Sequence, residues 1–186
     1  MTSVSVLWRW LDRPGHEAAR LSFEQGGWHL SGTAVFAHER EPCRLDYRVI
    51  CDADWRTRSA AVRGWVGDRA VDLAIDADAA RRWRLDGADC PAVEGCIDVD
   101  LGFSPSTNLL PIRRLALAIG QEARVRAAWL TFPALALEPL EQRYRRTGAT
   151  TYAYESGGGA FAAQLTVNDA GLVLDYPPFW RTDAGG

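Results

Sequence analysis

Turn signals recur along this 186-residue chain at intervals too short for helices and strands to alternate. They include Arg13-Pro14-Gly15, Gln25-Gly26-Gly27, Glu41-Pro42, Gly67-Asp68, Asp86-Gly87, Ser104-Pro105, Gly120-Gln121, Gly157-Gly158-Gly159 and Asp169-Ala170-Gly171. Glycine supplies the positive φ that tight turns need, proline presets a negative one, and Asn, Asp and Ser bond to their own backbone there. Turns at this rhythm predict an all-β sandwich or barrel.

The segments between the turns alternate apolar and polar residues. Ala19, Leu21 and Phe23 interleave with Arg20, Ser22 and Glu24, and Leu45, Tyr47, Val49 and Cys51 with Arg44, Asp46, Arg48 and Ile50. Val71, Leu73 and Ile75, and Phe161, Ala163, Leu165 and Val167, follow the same rule. Successive side chains of a strand point to opposite faces, so this period of two describes an antiparallel sheet with one face on a core. The stretch Pro111–Gly120 fits two readings. Leu109, Ile112, Leu115, Ala116 and Ile119 fit a helix stopped by Gly120. The favoured reading is a hairpin, with Leu115–Ile119 turning at Gly120-Gln121 to pair with Ala123–Trp129, after about one helical turn near Asn108–Ile112.

No linker divides the chain, so residues 1–186 are read as a single domain. With 47% hydrophobic and 24% charged residues it is expected to be globular. A net charge of −3 argues against a nucleic-acid partner. No apolar run reaches membrane-spanning length, and the N-terminus lacks the pattern of a secretion signal, so a soluble, cytoplasmic protein is expected. The four cysteines form no CxxC pair and the three histidines have no ligand spacing, so neither a metal nor a cofactor is expected. No nucleotide-binding glycine motif, nucleophile elbow or triad spacing is present. The eight tryptophans are core residues or, for one or two of them, stacking platforms.

Polar side chains concentrate in Cys96–Leu115. Ile97, Val99, Leu101 and Phe103 define one strand face and Asp98 and Asp100 the other. A turn with Ser104, Ser106, Thr107 and Asn108 follows, then the pair Arg113 and Arg114. Paired carboxylates can divide acid and base work, or they can be ligand contacts, or acids of a solvent-facing strand paired with cross-strand arginines. A second candidate is Trp55–Ser59, where Arg56 and Arg58 share a face and could clamp an anionic headgroup. The C-terminal Tyr176–Arg181 stretch is either an aromatic flap or a closure of the sheet.

Three stretches, Leu45–Val62, Cys96–Leu115 and Ala128–Tyr144, together with the ending GLVLDYPPFWR, resemble a bacterial family formerly described only as a domain of unknown function. Its glycolipid-binding label rests on likeness of fold. The resemblance implies a curved, largely antiparallel sheet with a concave face, and it supplies no catalytic residues. The expected fold is therefore mainly β, a strongly curved antiparallel sheet or an open or partly closed barrel with little helix. The expected function is binding of a glycolipid or similar amphipathic ligand, with Tyr47, Arg56, Arg58, Asp98, Asp100, Asn108 and Arg113 as ligand contacts. The alternatives are an enzyme using Asp98 or Asp100 as base with Arg56 or Arg113 as electrostatic stabiliser, and a non-catalytic interaction module, for instance a homodimer.

Overall fold

The computed structural model describes residues 3–185. Eight strands run in sequence order: β1 (Val4–Trp10), β2 (Gly15–Glu24), β3 (Gly27–His38), β4 (Glu41–Cys51), β5 (Thr57–Val66), β6 (Arg69–Ala77), β7 (Trp83–Leu85) and β8 (Ala88–Asp89). After β9 (Val99–Leu101) comes the helix α1 (Leu109–Leu115). Six more strands complete the chain: β10 (Glu122–Leu130), β11 (Leu137–Arg146), β12 (Thr151–Ser156), β13 (Phe161–Val167), β14 (Val173–Tyr176) and β15 (Trp180–Gly185).

All of these strands belong to a single sheet. Its order runs from β8 back to β1, then from β15 back to β9, so the first and last long strands meet in the middle. Neighbours are antiparallel except β9 and β10, which are parallel. The sheet is therefore mixed rather than wholly antiparallel, and it is strongly curved without closing into a barrel. The segment before β9 nevertheless reaches the far half. Thr57 donates its backbone N–H to the Ile97 carbonyl at 3.2 Å and accepts the Val99 N–H on Oγ1 at 3.0 Å. Arg81 donates to the carbonyls of Cys96, Ile97 and Thr57 at 2.7–3.0 Å, and the Trp83 indole donates to Cys96. One backbone hydrogen bond and several side-chain bonds thus bridge a seam that the strand ladder leaves open.

The alternation seen in the sequence matches burial along most of these strands, although Phe23, near the end of β2, is exposed. Leu45, Tyr47, Val49 and Cys51 are buried on β4, while Arg44 and Arg48 are exposed. The turn expected at Glu41-Pro42 falls two residues earlier. Glu39 and Arg40 take φ of 48° and 72°, the conformation of a two-residue hairpin turn, and Glu41 already begins β4. The hairpin expected over Leu115–Trp129 forms only in its second limb, as β10. The helical turn expected near Asn108–Ile112 is α1, which runs to Leu115 and is ended by Ala116 in the left-handed region at φ 45°, and the expected first limb beyond it, residues 116–119, is irregular and not a strand. Leu109, Leu110, Pro111 and Ile112 are buried in succession, which a strand with alternating faces cannot achieve beside a solvated surface but a helix inserted into the sheet's hollow can. Pro111 in the first turn sacrifices no intrahelical hydrogen bond.

Candidate functional site

β9 lies in the interior with both faces covered. Val99 and Leu101 enter the main core, and Asp98, on the opposite face, is only 1% exposed. Asp98 falls just before β9 and is buried, while Asp100 lies within the strand and is partly buried, so neither stands on an open solvent-facing strand. Their environments differ sharply. Arg114 grips both oxygens of Asp98, at 3.0 and 2.5 Å. Burial raises the Asp98 pKa and the Arg114 hydrogen bond opposes it. Asp100 has no arginine partner. Its Oδ2 accepts one hydrogen bond, 2.8 Å from Gln142 Nε2, and the same amide donates to the Tyr154 hydroxyl at 3.0 Å. Burial, with a smaller contribution from the Asp98 charge, moves the Asp100 carboxyl up to about 6.

Asp100 faces a cavity of about 610 Å³ on the inner side of β10–β15. Ser104 and Asn108 join it on the wall, and aromatic rings supply most of the rest. Trp10 and Trp180 stack with centroids 4.2 Å apart, Phe161 and Phe179 at 5.3 Å, and Tyr176 meets Tyr154 edge-on at 5.9 Å. Arg13 lies over Trp10 at 4.5 Å, and His38 meets Phe132 edge-on at 4.9 Å. Trp8 and Trp83 are fully buried in the core; Trp10 and Trp180, also buried in that core, and Trp129 line the cavity.

The turn after β9 is held from within. Thr107 Oγ1 accepts the Leu101 N–H, and Asn108 donates to the Pro105 carbonyl and accepts from the Tyr144 hydroxyl at 2.8 Å. Ser104 reaches a residue that the sequence reading passed over. Its hydroxyl lies 2.6 Å from Oε1 of Glu17, which also accepts the Tyr47 hydroxyl at 2.6 Å. Glu17 is fully buried, its Oε2 has no partner among the described residues, and burial pushes its carboxyl up to about 8. The signal for it was available: Glu17 is in phase with Ala19 and Leu21, so a carboxylate stands on the apolar face of β2.

The structure therefore brings Asp100 and Asn108 to the cavity, and Tyr47 behind it through Glu17 and Ser104. Asp98 is enclosed with Arg114. Arg56 and Arg58 are exposed near and on β5 and do not line the cavity. Arg113 points elsewhere too, stacking 5.4 Å over the Trp55 ring and bonding to the Asp169 carbonyl. Adjacent helical residues project about 100° apart, so only one of the arginine pair can face Asp98. All four cysteines are free, and burial raises the Cys51 thiol to about 12. No helix of the described residues is long and apolar enough to cross a membrane.

Fold and site together define an all-β protein of one open, strongly curved sheet, with an aromatic-walled cavity that has an unpaired carboxylate on its wall. The chain belongs to the family described as "Putative glycolipid-binding", whose model matches residues 5–182. It is similar to a DUF1089 family protein from Pseudomonas aeruginosa, known from a crystal structure, with 39% identity and a TM-score of 0.79 over 90% of this chain and 91% of that one. No curated protein matches it.

Proposed function

We propose that the protein binds a glycolipid or a comparable amphipathic molecule, with the sugar-like headgroup in the aromatic cavity. The observation that carries this reading is Asp100, a carboxylate with only one protein hydrogen bond, among aromatic rings in a cavity of about 610 Å³. That volume is ordinary for a small-ligand site. Aromatic faces accept the C–H faces of a sugar ring, and a carboxylate accepts its hydroxyls through charge-assisted hydrogen bonds. Asp100 and Asn108 are direct contacts in this reading. Tyr47 acts through Ser104, and Asp98 anchors Arg114. Arg56, Arg58 and Arg113 lie outside the headgroup site. The enzymatic alternative, Asp98 or Asp100 as base with Arg56 or Arg113 as stabiliser, is weaker because Arg114 holds both oxygens of Asp98 and neither Arg56 nor Arg113 lines the cavity beside Asp100.

Native mass spectrometry of gently purified protein and tryptophan fluorescence titration with octyl β-glucoside test the proposal. The expected result is a co-purifying lipid or saturable quenching, with affinity reduced about tenfold or more in Asp100→Asn, which removes a charge-assisted hydrogen bond. Absence of both signals, or an unchanged affinity in the variant, would overturn it.

A further inference from the structure

We infer that Glu17 sets the hydrogen bond that Ser104 offers to a ligand, so that the cavity selects a sugar presenting a hydroxyl donor to Asp100 and an oxygen acceptor to Ser104, and releases it when Glu17 loses its proton. The inference rests on the cavity being the headgroup site. It concerns a residue that does not itself line that cavity.

Ser104 has one hydroxyl proton and four polar neighbours in the protein: Glu17 Oε1 at 2.6 Å, Ser106 Oγ at 2.7 Å, the Ser106 N–H, which donates to it at 3.1 Å, and, more distant, the Tyr47 hydroxyl at 3.5 Å. An ionised Glu17 cannot face a hydroxyl lone pair at 2.6 Å, so it takes the single Ser104 proton. Ser104 then has no donor for the cavity. A neutral Glu17 reverses the direction. Its own proton belongs on Oε1, because Oε2 has no partner among the described residues. Oε1 has two oxygens at hydrogen-bond distance, Tyr47 Oη and Ser104 Oγ. A phenol is the better donor and an aliphatic hydroxyl the better acceptor, so Tyr47 donates to Glu17 and Glu17 donates to Ser104. The Ser104 proton is thereby free to turn towards Ser106 or a ligand oxygen.

The surroundings keep Glu17 neutral at ordinary pH. Its sheet neighbours are Trp8 on β1 and Ala34 on β3, both fully buried. β4 supplies Tyr47 and the turn after β9 supplies Ser104 and Ser106. Of these only Tyr47 titrates, and burial holds its hydroxyl well above its ordinary range, so it stays protonated. No arginine contributes to the Glu17 carboxyl, and burial outweighs its two hydrogen bonds. Asp100, on the same cavity wall, is ionised above about 6 and acts as the acceptor. The ligand must match this order of one acceptor and one donor, as a sugar hydroxyl beside a ring or glycosidic oxygen does.

The test is a fluorescence titration with octyl β-glucoside at pH 7 and pH 9, using the wild type, Glu17→Gln and Ser104→Ala. A site that binds only with Glu17 protonated loses about tenfold in affinity between these pH values if the group titrates near 8. Glu17→Gln, whose amide stays neutral and can donate to Ser104, is expected to show no such loss. Ser104→Ala is expected to bind more weakly at pH 7 and to lose the pH dependence, which keeps the test decisive if Glu17→Gln folds poorly. Wild-type and variant curves that fall in parallel would overturn the inference and leave the cavity as the headgroup site. Absence of binding at both pH values in all three proteins would overturn both.

Discussion

Replacing Glu17 by glutamine is expected to change how stability depends on pH, without any ligand. In the folded protein the carboxyl is displaced from its ordinary 4.5 to about 8, chiefly by burial. A carboxyl whose folded-state pKa is raised binds more protons folded than unfolded, so stability falls as pH rises between those two values and then levels off. At about 1.4 kcal/mol for each pH unit, the full displacement corresponds to about 5 kcal/mol, present above pH 8 and absent below about pH 4.5. Glutamine is neutral throughout. Its second polar atom is unpartnered as Oε2 already is, but an amide nitrogen at the Oε1 position cannot accept the Tyr47 hydroxyl, which costs about 1–3 kcal/mol at every pH. The variant should therefore be equal to or less stable than the wild type at pH 5 and more stable at pH 9. Urea unfolding at pH 5, 7 and 9 measures this directly, because the linear extrapolation separates stability from changes in exposed surface. A wild-type profile that runs parallel to that of the variant would show that Glu17 is charged in the folded protein at neutral pH, and the reasoning would fail.

Removing the Arg114 side chain with Arg114→Ala strands Asp98 in the interior and should cost about 3–5 kcal/mol, seen as a large drop in the thermal midpoint; adding Asp98→Asn should recover part of the loss, and an effect under about 1 kcal/mol would contradict the burial argument. Because the Asp100 carboxyl titrates near 6, binding of octyl β-glucoside by the wild type should weaken as pH falls through that value and stay flat in Asp100→Asn, as read by fluorescence titration. Gly32→Ala would place a Cβ about 2.5 Å from the Tyr47 hydroxyl and 2.7 Å from the Ala18 carbonyl oxygen; a loss of about 1–3 kcal/mol in urea unfolding is expected, since neither backbone nor ring can yield freely. Arg81→Ala removes three hydrogen bonds, two of them to the segment before β9, and should speed amide exchange at Thr57 and Val99 relative to the β2–β3 hairpin, which hydrogen-exchange mass spectrometry resolves by segment.

The amino-acid sequence by itself determined the local plan. Alternation in β2, β4, β6 and β13 named the inward faces, and the turns at Gln25-Gly26, Gly67-Asp68, Asp86-Gly87 and Asp169–Gly171 stand where glycine and aspartate mark them. It also identified β9 as the strand whose polar face carries Asp98 and Asp100, because the period of two is a property of the backbone and needs no partner. What that face meets was beyond it. Only the tertiary packing brings Arg114 onto Asp98 and Gln142 onto Asp100, so that the first acid is buried and the second partly so. Only the helical path of Leu109–Leu115 decides that Arg114 closes on Asp98 while Arg113 leaves for Trp55. The contact between Glu17 and Ser104 joins residues 87 positions apart, on a strand and a turn whose adjacency depends on how far the whole sheet curves. Strand identity is local and is written in spacing. The meeting of two polar groups inside a curved sheet depends on curvature and register summed over many strands, and only the tertiary structure supplies these.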